Sequence, residues 1–208
     1  MIKFENIEVF NFESAFRGLR NPLESWNKSD SQWVREIETE KDIFIIGEED
    51  MKLALKLVKA GSEHAKFTRQ IFVSMDITAP LYFYKEFDTY KISTVANSTS
   101  SMHKMGSRLL THDDFSWDKI TPHRDNELYH LNKLIKKWQD SNKQDKKVWR
   151  ELIQDLPSSL NQTRTWTANY QVLRNMYFQR RHHKLVEWLD FCKMIEELPY
   201  SELITIEK

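Results

Sequence analysis

Glycine is scarce in this 208-residue chain, which has four in all: Gly18, Gly47, Gly61 and Gly106. They are too scattered to form either the G-x-G-x-x-G turn of dinucleotide-binding folds or a phosphate-cradling P-loop. Cysteine is scarcer still. A single Cys192 can make neither an internal disulfide nor a multi-thiolate zinc site, and this usage makes the cytoplasm the default compartment. No apolar run approaches the length of a membrane span or of a signal-peptide core, so no membrane association is expected. Net charge is also missing: 31 Lys+Arg balance 31 Asp+Glu, with a pI near 7.1. The chain therefore has no cationic excess with which to hold a nucleic-acid backbone, and no nucleic-acid partner is expected.

What remains is ordinary globular material, 40% hydrophobic and 12% aromatic. A chain of this length buries roughly 70% of its unfolded surface, and residues 1–208 read as one domain. Ile2 to Phe10 alternates apolar and charged residues with a phase shift between Phe4 and Ile7, the pattern of an amphipathic strand carrying an irregularity. From Asn11 to Lys41 the signals mix, with Trp26 and Trp33 among polar neighbours as in a helix and loop laid over a core or a subunit interface. Glu48, Glu49 and Asp50 suit the positive end of a helix that runs through Leu53, Ala54, Leu57 and Val58 to a stop at Gly61. Ile71, Val73, Met75 and Ile77 form one face of a strand that Ala79-Pro80 ends, and Pro80 suits the first turn of an aromatic helix.

Ser93 to Ser101 lacks helical periodicity and reads as a loop or short extended segment. Leu128, Leu131, Ile135 and Trp138 give a helix from about Arg124 to Asp140. Trp149 to Leu156 continues as a helix that Pro157 ends. The last sixty residues hold two more helices, one with Leu173 and Met176, the other with Leu185, Trp188, Leu189 and Cys192. The sum is an α+β arrangement.

No H-E-x-x-H pair and no His/Cys cluster with ligand spacing appears, so no metal is expected. His182 and His183, read as helical neighbours, would diverge by about 100°. Cys192 follows Trp188 by four residues on an apolar face and reads as buried rather than nucleophilic. More informative is the group Arg174, Arg180, Arg181, His182, His183 and Lys184, beside Asn169, Asn175 and Gln179. Arg offers a planar fork of donors matched to phosphate, and Asn pairs a donor with an acceptor on a ring edge. The same residues also suit a solvated helix face.

These residues carry a resemblance to the flavin-dependent thymidylate synthases, also called thymidylate synthase complementing proteins. Leu156-Pro157, Trp166-Thr167-Ala168-Asn169, Leu173, Asn175 and Arg180 follow the family's C-terminal pattern without a gap, and Trp188 follows after one extra residue. Upstream, Gly61, Glu63 and His64 match a turn before the strand, Ala79-Pro80 follows, and Ala15-Phe16-Arg17 to Ser25 is similar to the first helix. The family's Arg-His-Arg, seven residues, Ser signature becomes Thr89-Tyr90-Lys91, then Thr99. Asn97 stands at a Glu position, Ser101 at an Arg position, and Glu86 where a Gln precedes the signature. A Lys cannot reproduce a bidentate guanidinium, so the departures bear on how FAD would be held.

The resemblance implies an α+β flavin-dependent thymidylate synthase-like fold, a central sheet with helices packed against it, assembled as a homotetramer with sites between subunits. It implies methylation of dUMP to dTMP, with methylenetetrahydrofolate as carbon donor, FAD as cofactor and NADPH as reductant. Arg180 matches the uracil-activating Arg and counts as both catalytic and substrate-binding. Cofactor binding falls to His64, Tyr90, Lys91, Asn97, Asn169, Asn175 and His183, although His182 and Lys184 compete for the last position. Substrate binding falls to Glu86, Thr99, Ser101 and Arg150 beside Arg180. Two readings stand: a divergent flavin-dependent thymidylate synthase, or a related flavin-nucleotide methyltransferase, that holds FAD weakly, and the same fold with FAD lost and no flavin chemistry, acting as a nucleotide-binding or interaction protein.

Overall fold

A computed structural model describes residues 2–38 and 40–207. In chain order the first half holds β1 (Lys3–Phe10), α1 (Phe12–Leu19), β2 (Gln32–Arg35), β3 (Asp42–Ile45), α2 (Glu48–Ala60), β4 (Phe72–Pro80) and α3 (Leu81–Phe87). The second half holds β5 (Val95–Ser98), α4 (Ser101–Lys104), α5 (Pro122–Asp140), α6 (Lys146–Gln154), β6 (Asn161–Asn169), α7 (Tyr170–Arg180), α8 (Val186–Glu196) and α9 (Glu202–Thr205). A four-stranded sheet runs in the order β1-β4-β6-β5, and β2 and β3 form a separate antiparallel pair. The chain divides into two compact units. One is Met1–Glu5, Asp76–Thr89 and Ala96–Trp166, and the other is Asn6–Met75, Tyr90–Val95 and Thr167–Lys208.

In the first of these units, α3 buries Phe83, Tyr84 and Phe87. The Tyr84 hydroxyl donates to the Ile77 carbonyl at 2.6 Å, and burial raises its pKa. Arg164 of β6 stacks its guanidinium 3.7 Å from the Tyr84 ring and pairs with Asp88 at 2.6 Å. Helices α5 and α6 pack against each other in a cluster with Leu131, Leu134, Ile135, Leu152 and Leu160 at its centre. Thr121 and Asp145 accept backbone hydrogen bonds at the starts of α5 and α6.

In the other unit the phase shift of β1 takes the form of Asn6 with φ +51°, a local left-handed residue that resets which side chains face inward. Helix α2 is not capped by its own first residues. Asp30 reaches in from the segment before β2 and accepts from the Glu49 and Asp50 amides at 2.9 and 3.0 Å. A Cβ at Gly47 would meet that carboxylate at 2.2 Å, so the approach requires glycine. Asp50, in the first turn of α2, turns into the interior. It pairs with Arg20 at 2.5 Å, both side chains sealed, and accepts from the Ser29 and Ser31 hydroxyls. Burial alone would raise the Asp50 pKa, but those two hydroxyls and the guanidinium outweigh it and hold the carboxyl below its ordinary range. Gly61, at φ +121°, closes α2.

Several sequence expectations need correction. Trp33 lies on the β2–β3 hairpin, opposite Phe44, rather than on a helix. Pro80 caps α3 from outside its first turn. Ser93 to Ser101 takes the short extended form of its two readings, as strand β5, whereas Asn161 to Asn169 forms a full strand that no apolar alternation announced. His182 and His183 follow the end of α7 in a turn, so they are not helical neighbours. Cys192, in contrast, is buried on α8 as its apolar spacing predicts, and burial pushes its thiol up to about 11.

Candidate active site

Helix α7 organises the site. Asn169 is buried and serves as its N-cap, its side-chain oxygen accepting from the Val172 amide at 3.0 Å. From that start Gln171, Arg174, Asn175 and Phe178 fall at three- and four-residue spacing and share one face. That face lines a cavity of about 570 Å³, whose other walls come from Val58, Gly61, Ser62 and Ala65 and from Arg181 and Glu207. Gly61, at φ +121°, ends α2 and forms part of the cavity wall. Arg181 and Glu207 pair at 2.8 Å and neutralise each other.

At the C-terminal end of the helix, Arg180 meets Tyr90. Its Nε donates to the Tyr90 hydroxyl at 2.8 Å, and that hydroxyl donates to Oε1 of Gln179 at 2.9 Å. The Arg180 guanidinium lies 4.7 Å from the Trp188 ring, a cation–π contact on a fully buried indole. His183 packs its ring 6.2 Å from the same indole and accepts from the Leu185 amide through Nδ1 at 3.1 Å. Gln179 also lines the cavity, so one helix end joins the cavity to the Arg180–Tyr90 pair. The arrangement offers amide edges, an aromatic wall and fixed positive charge, suited to a planar heterocycle carrying developing negative charge.

A second cavity, of about 330 Å³, lies within the other unit and is lined by Thr99, Ser101, Thr78, Lys104, Arg108 and Gln162 among others. The Thr99 amide donates to the Thr163 carbonyl at 2.9 Å, and Gln162 donates to the Thr99 carbonyl at 2.8 Å, which fixes the Thr99 backbone. Arg108 pairs with Asp114 across the wall at 2.8 Å. Hydroxyl and cationic donors around a small space are the chemistry of a phosphate or ribose pocket.

The remaining sequence-derived candidates scatter. Asn175 is exposed in the first cavity, where it accepts from Gln171 at 3.2 Å. His64 is exposed and lines a different cavity, with Gly18, Asn21 and Gln70. Lys91 is exposed directly after Tyr90, and Asn97 is exposed on β5. Glu86 is half-buried on α3, its carbonyl accepting from the Thr89 amide and hydroxyl. Arg150 is exposed on α6 and lines neither of the two cavities above. The structure therefore brings Arg180, Tyr90 and His183 together around Trp188, with Asn175 on the same helix. It places Thr99 and Ser101 together in the other unit. Gln171, Phe178 and Ser62 were missed, and the helical spacing of Gln171, Asn175 and Phe178 was the signal available. Among the described residues His130, Glu151 and Asp155 bring three ligand-type atoms within 4.8 Å, all exposed, with His130 and Asp155 paired at 2.8 Å.

The class defined by this fold is α+β, and solved structures share it across nearly the whole chain. Thymidylate synthase X (ThyX) from Helicobacter pylori with FAD and dUMP superposes with a TM-score of 0.74 at 14% identity, covering 99% of this chain and 98% of that one. A second structure of flavin-dependent thymidylate synthase ThyX from Helicobacter pylori, complexed with FAD and dUMP, gives 0.73 at 14% identity, covering 98% of each chain. The UMP/dUMP methylase PolB from Streptomyces cacaoi, bound with 5-Br dUMP, gives 0.61 at 13% identity, covering 94% of this chain and 88% of that one. At such identities the likeness establishes the fold. No family model matches the chain, and no curated protein matches it in sequence.

Proposed function

We propose that this protein methylates a pyrimidine nucleotide, dUMP to dTMP, in the manner of a flavin-dependent thymidylate synthase. The observation that carries the reading is the placement of Arg180 and Asn175 on one helix, beside an amide-lined cavity, in a fold shared with structures solved with FAD and dUMP. The cavity suits a flavin ring: its volume lies within the range of small-molecule pockets, roughly 300–1,000 Å³, and Gln171, Asn175 and Gln179 offer amide donors and acceptors beside the Phe178 ring. Reduced FAD, replenished by NADPH, would supply the hydride that converts a methylene taken from methylenetetrahydrofolate into methyl.

The protein's own work is positioning and electrostatics. Tyr90 holds Nε of Arg180 and Trp188 supports the guanidinium plane, so the positive charge is fixed before substrate arrives. Placed at a pyrimidine carbonyl, it stabilises the negative charge that develops as C5 attacks the one-carbon unit. Asn175 and Gln171 orient a ring through its edges. No thiol is needed, in keeping with a buried Cys192.

The test is spectroscopic and chemical. Protein incubated with FAD and then desalted should keep a flavin spectrum, and with folate and reductant it should release tritium from dUMP labelled at C5. A colourless protein that releases no tritium overturns the flavoenzyme reading. The second reading, a nucleotide-binding protein without flavin chemistry, draws on Tyr90 already engaging Arg180 in this structure. It takes over if dUMP still raises the melting temperature of that colourless protein.

A further inference from the structure

Arg174 is the anomaly of helix α7. It is 9% exposed, yet Arg is almost never buried without a charge partner. Its Nη1 donates to the Ile204 carbonyl at 2.6 Å, and its guanidinium carbon lies 4.7 Å from the Phe178 ring. Among the described residues no carboxylate pairs with it. Glu207, the acid lining the same cavity, is taken by Arg181 at 2.8 Å. Nε and Nη2 meet no acceptor among the described residues, and no sealed side-chain nitrogen is left unbonded there. Those donors consequently face open space, and the open space beside Arg174 is the cavity of about 570 Å³.

We infer that this cavity recognises an anion, with Arg174 supplying the counter-charge to a phosphate group carried on a ring compound. The inference rests on reading the cavity as a ligand site, but not on the ligand being a flavin. A guanidinium with one edge tied to a backbone carbonyl presents its remaining N–H groups in a fixed fork, the geometry that phosphate accepts. Burial lowers the Arg174 pKa and therefore disfavours its charge, and an oxyanion in the cavity removes that cost. The amides of Gln171, Asn175 and Gln179 cannot do so, but they can read the edges of the attached ring. The sequence, which lacks two of the three basic residues in the signature at Thr89-Tyr90-Lys91, thus carries a buried positive charge from another element.

The experiment compares ring compounds that differ only in the phosphate. FMN should bind the wild-type protein roughly tenfold or more tighter than riboflavin, and Arg174→Gln should bring that ratio close to one. Because Arg174 also holds the Ile204 carbonyl, a second variant guards against simple loss of fold. Gln171→Glu places a carboxylate one turn from Arg174 and should reduce the FMN-to-riboflavin ratio while preserving or raising the melting temperature. If neither flavin binds, the flavin reading fails by itself, and the pair dUMP and deoxyuridine, followed by calorimetry, decides the anion site by the same ratio. A wild-type protein with no preference for the phosphorylated member of either pair overturns the inference, as does a preference that survives unchanged in Arg174→Gln and Gln171→Glu.

Discussion

Arg180 does two jobs at once, and its removal should separate them. Its Nε bonds Tyr90 and its guanidinium covers Trp188, so Arg180→Ala is expected to cost about 1–2 kcal/mol of stability from the lost hydrogen bond and cation–π contact. Affinity for dUMP should fall as well, roughly tenfold or more, since the fixed charge proposed to face the nucleotide is lost. Denaturant titration and calorimetry on the same preparation check both; stability loss without affinity loss would assign Arg180 to structure alone. Asn169 shows the limit of reading such residues from sequence. An asparagine that caps a helix and one that faces a ring carry the same letter, and only the Val172 amide at 3.0 Å reveals the capping role. The position of Arg180 at the end of a helix was legible from the periodicity of Leu173 and Met176, while the role given to it rests on the resemblance alone.

Among the elements, the docking of α2 rests on the sealed pair of Arg20, the residue following α1, and Asp50 in the first turn of α2. Removing one member of a buried pair strands the other, so Asp50→Asn should destabilise by about 3–5 kcal/mol in urea unfolding. The pH dependence has a definite sign. Because the folded pKa of Asp50 lies below the ordinary 3.8, its contribution is complete above that value and disappears as pH falls through the folded pKa. Asp50→Asn should therefore lose most of the stability difference from wild type in strong acid, and an equal gap at neutral and acid pH would contradict this. Helices α2, α5 and α8 were readable because one apolar stripe each faces a core. Strand β6 was not, because it is joined to β4 by polar pairs: Thr163 with Thr78 at 2.7 Å, Thr165 with Asp76 at 2.5 Å, Thr167 with Ser74 at 2.9 Å. Such a ladder satisfies its own hydroxyls and leaves no hydrophobic alternation to detect. The β2–β3 hairpin was hidden for a related reason, since Trp33, Ile43 and Ile45 all remain substantially exposed.

At the scale of the whole molecule, these exposed residues bear on assembly. Phe10, Trp33, Ile43 and Ile45 surround an apolar cavity of about 720 Å³, and Trp26 and Ile37 are also exposed. Apolar surface of this kind is ordinarily covered by a partner, and we propose that further copies of the chain cover it, in a homotetramer whose sites are completed between subunits. Light scattering should return the tetramer mass, and a monomer at micromolar concentration would contradict both the assembly and any shared site. The single cysteine has a use of its own. Buried against the Tyr177 carbonyl, with its thiolate form suppressed at neutral pH, Cys192 is shielded from alkylating reagents for as long as helix α8 stays docked. The chain therefore carries a built-in clock for its own opening: each labelled thiol counts one molecule that has let go of its core, with no competing cysteine to blur the count.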